Sequence, residues 1–434
     1  MNRQIRKQIK STSLWITFFL LSFTLITPLA AKADVALPPH VSGQIIIGLD
    51  PVQATTIDDI HATYDTTTIA QITPTIFLIQ PPADQPLETL LDLLGLDPRL
   101  EFAELNLIGD SPEHSGQDAW AWGGQDAAPY AQQYALDMLD IPTAHTISQG
   151  AGITVAILDT GVQLDHPALT TAVTPTGFDF IDMDAIPADD TNGLDDDQDG
   201  LVDEAAGHGT HVAGIVRLVA PQSAIMPVRV LNSDGRGSVY TVAEGILYAA
   251  AQGADVINLS LGLPQKSELL KLVIRQATRQ GTLVIAAAGN AGTTTKQYPA
   301  ASKCALAVTA VSPTGTPSDF AGTGNWVAFA APGDSIYSTF IDSSYAWWTG
   351  TSMAAPFVTG QAALLRSLDP TLTLRDYALL IAHTATPLTI ANHNHPEEDQ
   401  DFGLVDISAS LQLLQSGNIP TSNDGLFSGS CMQS

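Results

Sequence analysis

Positive charge is scarce in this chain. Its 434 residues include 17 Lys and Arg against 45 Asp and Glu, which gives a formal net charge of −28. Five of the basic residues and no acidic residue lie in the first 33 positions, so the remainder carries 12 basic residues. A surface of this sign repels phosphate, and we therefore expect no nucleic-acid partner and no binding to anionic membranes.

Cysteine and long apolar runs are also rare. Only Cys304 and Cys431 occur. An exported chain would allow one disulfide between them, and two unpaired thiols are the alternative. The one long apolar run, LWITFFLLSFTLITPL, follows a basic start and precedes the small-x-small sequence AKA. This pattern predicts a signal peptide over residues 1–33, cleaved after Ala33, with an uncleaved anchor as the alternative. The expected product is secreted and has no stable membrane anchor.

The rest of the chain divides by composition. Residues 34–110 alternate strand-like and helix-like stretches, which predicts a small α+β unit. Residues 111–130 are rich in Gly, Ser, Asp and Pro and predict an exposed linker. Residues 131–415 form the main unit, and residues 416–434 read as a flexible tail.

Short apolar runs recur through the main unit and are separated by helical stretches. Examples are ITVAIL, IMPVRVL, DVINLSL, TLVIAAA and ALAVTAV. Continuous apolar strands alternating with helices predict a mostly parallel sheet covered on both faces. In such sheets the functional site lies beyond the carboxyl ends of the strands.

Three stretches carry residues suited to nucleophilic chemistry. Asp159 directly follows an apolar strand in ITVAILDTG, and His208 begins a helix-like segment in GHGTHVAGIV. Ser352 lies at a helix start in WTGTSMAAP, where unpaired N–H groups favour a developing oxyanion. A serine needs a neighbouring imidazole to become a nucleophile, and the imidazole needs a carboxylate to orient it.

The second histidine of GHGTHV allows another chemistry. Glu204, His208 and His211 stand at i, i+4 and i+7, and all three are metal-ligand types. The usual zinc pattern instead places two histidines at i and i+4 with a Glu between them. Gly207 and Gly209 also disfavour one continuous helix through Glu204.

Together the three stretches resemble the signatures of the subtilisin-like serine proteases, in that family's order of Asp, His and Ser. The resemblance implies a three-layer α/β fold with a mostly parallel central sheet, preceded by a ferredoxin-like pro-region. It also implies that Ser352 is the nucleophile, His208 the general base and Asp159 its orienting partner. His211 would then be a structural residue. The implied protein is a monomeric serine endopeptidase that acts on polypeptide substrates. It would be made as a zymogen, whose pro-region assists folding and inhibits the enzyme. The zymogen would then cut itself in the linker.

The same resemblance assigns further site residues. Asn290 in AAAGNAG would donate to the oxyanion, although an Asn in this setting also suits an ordinary turn. Two segments would pair with the bound peptide by strand addition. Gln297 would lie near the floor of the specificity pocket, in a loop that resembles the thermitase-like branch of the family. A polar floor would temper a preference for apolar side chains, and Arg236 would favour acidic residues in the substrate. The residues of the two segments are Gly235, Arg236 and Gly237, and Ser260, Leu261 and Gly262.

The loop DDDQDGLVDE precedes His208 and predicts a calcium site. Asp195, Asp197, Asp199, the carbonyl of Leu201, and Asp203 match positions 1, 3, 5, 7 and 9 of a calcium loop. Position 12 is not Glu, so the loop departs from the full EF-hand pattern, and a solvated acidic loop is the alternative. Close packing of like charges is costly without a cation. The insertion that forms the tight calcium site of subtilisin is missing, so the expectation rests on this loop alone.

Two other classes of protein compete with the protease reading. A catalytically silent relative would act as a binding protein, but Asp159, His208, Asn290 and Ser352 are all present. An esterase of the α/β-hydrolase type would carry its serine in Gly-x-Ser-x-Gly, whereas this chain has GTSMA.

Overall fold

The computed structural model describes residues 37–114, 120–390 and 400–421. The expected signal peptide and Cys431 lie outside these residues, while Cys304 is buried. In the part that is described, no helix is long and apolar enough to cross a bilayer.

The first unit has the element order βαββαβ, which defines ferredoxin-like units. Its strands pair antiparallel in the order β2-β3-β1-β4. Alternation along β1 turns Ile45 and Ile47 toward the helices, where they pack with Ile60, Leu90 and Leu94. The elements are β1 (His40–Leu49), α1 (Ile57–Tyr64), β2 (Thr67–Thr73), β3 (Ile76–Gln80), α2 (Leu87–Gly95) and β4 (Leu100–Asp110).

The main unit is built on a central sheet that has nine strands among the described residues. Its order is β16-β17-β13-β12-β11-β10-β6-β8-β7, and all neighbours are parallel except β16 and β17. The strands are β6 (Thr154–Asp159), β7 (Phe178–Asp179), β8 (Ala224–Arg229), β10 (Val256–Leu259), β11 (Leu283–Ala287), β12 (Ala305–Val311), β13 (Phe329–Pro332), β16 (Thr386–Ile390) and β17 (Gln400–Leu404).

Helices cover both faces of this sheet, as the apolar runs predict. Val155 and Ile157 of β6 join the core that contains α5 and α8, while Leu158 points to the other face, against Gly245 of α6. The helices are α3 (Tyr134–Met138), α4 (Ile141–His145), α5 (His208–Val219), α6 (Val239–Ala251), α7 (Glu268–Arg279), α8 (Thr351–Leu368), α9 (Leu374–Thr384) and α10 (Ile407–Gln415).

The described part of the region expected to be a linker is partly ordered into regular structure, and it is exposed in places from residue 121 on but buried at Ser111. Residues Pro112–His114 form a 3₁₀ turn directly after β4. Strand β5 (Trp120–Gly124) then pairs antiparallel with β15 (Ser344–Trp348), which also pairs with β14 (Ile336–Phe340). The segment WAWGG carries β-favouring tryptophans, so its local preference outweighs the turn-rich composition around it.

Candidate active site

Asp159, His208 and Ser352 converge at the carboxyl end of the central sheet. Asp159 ends β6, His208 is the first residue of α5, and Ser352 is the second residue of α8. All three are fully buried. Gly207 before His208 has φ +91, and a Cβ there would lie 2.2 Å from the Phe340 ring, so only glycine lets α5 start in this place.

The two nitrogens of the His208 ring each face a carboxylate. Nδ1 lies 2.6 Å from Asp159 Oδ1, and Nε2 lies 3.1 Å from Glu113 Oε2. The Trp348 ring packs edge-on against the imidazole at a centroid distance of 5.1 Å. Burial opposes the charged form of His208, but Asp159 and then Glu113 outweigh it and raise the pKa of the imidazole to about 10. The histidine is therefore protonated at neutral pH in this structure.

Glu113 lies at the centre of the site, although no sequence motif singles it out. Its Oε2 accepts from Ser352 Oγ at 2.8 Å, and its Oε1 accepts from Asn290 Nδ2 at 2.9 Å. The side chain is 3% exposed. Among the described residues, Ser352 Oγ thus donates to Glu113 and not to His208. One carboxylate from the end of the first unit contacts the serine, the histidine and the asparagine together.

Asn290 is held so that its amide donates into the site. Its Oδ1 accepts from the Thr351 N–H and from Thr351 Oγ1, each at 2.9 Å. The N–H can only donate, so these contacts fix which end of the amide carries the NH₂ group. The Nδ2 group donates to Glu113 beside Ser352, and in an acyl-transfer reaction the same N–H₂ could donate to an oxyanion there.

The end of β4 lies as an extended strand between the two predicted peptide-binding segments. On one side Asp110 pairs with Arg236 in β9 (Arg236–Ser238), and the Ser111 N–H donates to Gly235 O at 2.8 Å. On the other side Asp110 and Gly262 exchange hydrogen bonds of 3.1 and 2.9 Å. The chain's own segment therefore occupies a cleft with backbone partners on both edges.

Pro112 follows this strand and lines a pocket. Gly262, Asn290 and Gln297 line the pocket with it. The other predicted pocket residues, Ser260 and Leu261, are buried, and Ser260 Oγ donates to the carbonyl of Ser352 at 3.0 Å.

His211 faces away from the reactive groups. Its Nε2 donates toward the carbonyls of Ile336 and Ala346, at 3.2 and 3.1 Å. Burial lowers the pKa of its imidazole to about 3, so the ring is neutral. Within the described ranges, the acidic and histidine side chains grouped closely enough to hold a metal include neither His208 nor His211.

We expect His211→Asn to lower stability with little effect on chemistry. The shorter side chain leaves buried carbonyls without their donor, which costs about 1–3 kcal/mol. Urea unfolding checks this in a Ser352→Ala background, where self-cleavage cannot interfere, and casein cleavage by the otherwise unmutated chain should stay within about threefold. A loss of cleavage at unchanged stability would contradict the structural role.

The acidic loop before His208 forms two adjoining clusters of carboxylates. One contains Asp195, Asp197 and Asp199, and the other contains Asp197, Glu204 and Asp234. The second was not predicted, because Asp234 lies in the SDGRG segment and reaches the loop only through the fold. Predicted ligand Asp203 is turned elsewhere: its carboxylate accepts from the N–H groups of Asn192 and Gly193. Leu201 is 55% exposed.

Comparison with known proteins gives the same picture of the main unit. The model of the subtilase family matches residues 150–404. Thermitase of Thermoactinomyces vulgaris is 43% identical over 251 residues, which cover 55% of this chain and 84% of thermitase. Subtilisin BL of Lederbergia lenta is 35% identical over 269 residues, covering 60% of this chain and 93% of that protein.

A solved structure extends the likeness of the fold to most of the chain. Fervidolysin from Fervidobacterium pennivorans, a keratinolytic enzyme related to subtilisin, superposes with a TM-score of 0.69 at 23% identity. The match covers 88% of this chain and 62% of fervidolysin. At that identity it shows the shared subtilisin-like fold.

Proposed function

The chain belongs to the subtilase family and is a subtilisin-like serine protease, and from that premise we propose that it is a secreted endopeptidase made as a self-processing zymogen. The observation that carries the zymogen proposal is the position of Glu113. A carboxylate that contacts Ser352, His208 and Asn290 together fills the space that a scissile carbonyl would need.

The site residues take the following roles in this proposal. Ser352 Oγ attacks the substrate carbonyl while His208 Nε2 accepts its proton, and Asp159 stabilises the imidazolium that forms. Asn290 Nδ2, with backbone N–H groups at the start of α8, donates to the oxyanion. His208 then gives its proton to the leaving amine, and water releases the acyl group by the same steps in reverse.

The pro-region would inhibit by binding as a substrate does. Its last strand pairs with Arg236 and Gly262 as an extended peptide would. In the linker that follows, the Ser111 N–H donates to Gly235 O and Glu113 neutralises the imidazolium. We place the pro-region at residues 34–110 and the cut within 111–130. Gly237, Ser260, Leu261 and Gln297 complete the substrate cleft of the mature enzyme.

Export from an expressing cell and the processed N-terminus test this proposal together. We expect an unmutated chain to accumulate in the medium with its first residue between 111 and 130, because the exposed residues there reach a protease most easily. Fractionation followed by N-terminal sequencing gives the answer. Cell-bound chain that still begins near residue 1 would contradict both secretion and self-processing.

We also propose that the acidic loop holds a structural calcium ion. Hard carboxylate oxygens are the ligands that calcium prefers, and the two clusters share Asp197. Asp195, Asp197 and Asp199 would hold the ion, with Glu204 and Asp234 adjoining, while Asp203 braces the loop through its N–H contacts. Bound calcium would offset the repulsion among these carboxylates and order the loop ahead of α5.

Calcium is expected to raise the melting temperature of the Ser352→Ala chain relative to chelator. Binding at a hundredfold excess over Kd stabilises by about 2.7 kcal/mol, which corresponds to a shift of about 3–5 °C for a chain of this size. Asp197→Asn should remove most of the shift, whereas Asp190→Asn, at an exposed carboxylate outside both clusters, should keep it. An undiminished shift in Asp197→Asn would contradict the site.

A further inference from the structure

Arg236 makes a side-chain contact with the strand that occupies the cleft. Its Nε lies 3.0 Å from Asp110 Oδ1, and the two residues stand directly opposite each other in the antiparallel pairing of β4 and β9. Opposite charges at such cross-strand positions attract. Asp110 exchanges its backbone hydrogen bonds with Gly262 on the other edge. The Arg236 side chain thus adds a contact with Asp110 that the backbone pairing does not require.

The register relates this contact to the bond that is cut. Asp110, Ser111 and Pro112 all line the pocket that Gly262, Asn290 and Gln297 help to form, which in the proposed function receives the residue before the bond. Of these three, Pro112 directly precedes Glu113, whose carboxylate accepts from Ser352 Oγ, so Pro112 is taken as that residue. Counting that residue as the first, Asp110 is the third residue before the bond. A peptide substrate bound in the same register would present its third residue to Arg236.

We propose that Arg236 selects substrates with an acidic side chain at the third residue before the cleaved bond. The inference rests on the proposed endopeptidase function and adds a substrate class to it. Arg236 is a specificity-determining residue here: it contacts the substrate side chain and takes no part in the bond-breaking steps.

The negative charge around Arg236 restricts the preference for an acidic side chain to this one position of the substrate. Asp197 lies 3.7 Å from Arg236 and, with Asp195 and Asp199, gives this rim of the cleft a negative sign. An acidic substrate residue is repelled by that rim unless it meets a cation. The guanidinium supplies the cation at this one register position, with 24% of its side chain exposed.

The size of the preference follows from that exposure. Ion pairs of this kind contribute about 0.2–1 kcal/mol, because water and salt screen them. We therefore expect Asp to be favoured over Asn by about 1.4- to fivefold in kcat/KM, with Lys below Asn. Added salt should compress the ratio.

Quenched-fluorescent peptides measure the Asp-to-Asn ratio of kcat/KM, with the full chain used after self-processing. The peptides share one sequence, with Leu before the cleaved bond, and differ only in Asp, Glu, Asn or Lys at the third residue. Arg236→Gln should bring the Asp-to-Asn ratio to about one, Arg236→Glu should favour Lys, and Arg236→Lys should keep a preference for Asp. Arg279→Gln, at an exposed arginine on α7 away from the cleft, should leave the ratio unchanged.

The outcomes separate this inference from the function beneath it. Equal cleavage of all four peptides by the unmutated chain, or an Asp preference that survives Arg236→Gln, overturns the inference and leaves the endopeptidase standing. An unmutated chain that cleaves none of the peptides or casein overturns both. If Arg236→Gln fails to mature, the ratio in Arg236→Lys and the salt dependence in the unmutated chain decide.

Discussion

Ser352→Ala is expected to leave the full-length precursor uncut and to abolish the cleavage of denatured casein. The alanine has no oxygen to form the acyl-enzyme, and His208 and Asp159 cannot replace it because both act through the serine. In subtilisin, a member of the same family, loss of the equivalent serine costs about 10⁶-fold in turnover. A gel that follows both the precursor and casein over time measures the two activities at once.

A matched control comes from the same helix. Ser367→Ala removes a hydroxyl near the far end of α8, where Ser367 Oγ donates to the carbonyl of Ala151, and should retain normal cleavage. Asp159→Asn should lower turnover by about 10⁴-fold, because the imidazole loses the partner that stabilises its charged form. If cleavage persists in Ser352→Ala and is lost in chelator, the serine mechanism is wrong and a metal-dependent mechanism is favoured.

Glu113→Gln is expected to speed self-processing of the precursor by about 10- to 100-fold at neutral pH. The amide is isosteric, but it carries no charge to pair with the His208 imidazolium or to accept strongly from Ser352 and Asn290. Hydrogen bonds to charged groups contribute about 1.5–3 kcal/mol, which gives this range. The measurement is the rate at which freshly refolded precursor shortens on a gel.

The pH dependence of the unmutated precursor follows from the raised pKa of His208. In the uncut precursor, the pKa of His208 is raised to about 10. Protonated His208 therefore stabilises the inhibited site fully below the ordinary pKa of histidine, and this stabilisation is lost as pH rises through about 10. Self-processing of the unmutated chain should therefore accelerate from pH 7 to pH 10. In Glu113→Gln the pKa of His208 falls, so the acceleration should begin at lower pH.

Glu101→Gln provides the control for these measurements. Glu101 lies exposed on β4 of the same unit, so its replacement changes the net charge equally without touching the site. It should process as the unmutated chain does. If Glu113→Gln processes no faster than Glu101→Gln at pH 7, the carboxylate is not what holds the precursor shut.

The parts that sequence predicted best are those that depend on local pattern. Apolar runs such as ITVAIL fold as the buried parallel strands they predict, and the position of Asp159 at the end of one brings it to the functional edge of the sheet. The geometry of GHGTHV also follows, since His208 and His211 point to different surroundings one turn apart. Family membership, first indicated by these stretches, is confirmed by the comparisons.

The parts that sequence missed depend on contacts between distant segments. Glu113 reaches Ser352 across 239 positions, and only the register of β4 against β9 brings it there. Asp234 joins the acidic loop in the same non-local way. Strand β5 was concealed by composition, since the glycines and aspartates around WAWGG are typical of loops. Neither Glu113 nor Asp234 carries a local signature of its role.

The most direct test of the whole account is the site at which a sulfonyl fluoride reacts. Such reagents sulfonylate an activated serine hydroxyl, and peptide mass mapping locates the adduct. We predict one adduct, on Ser352, and only on chains that have been processed, because in the precursor Glu113 holds that hydroxyl. An adduct on another residue, or equal labelling of precursor and mature chains, would contradict it.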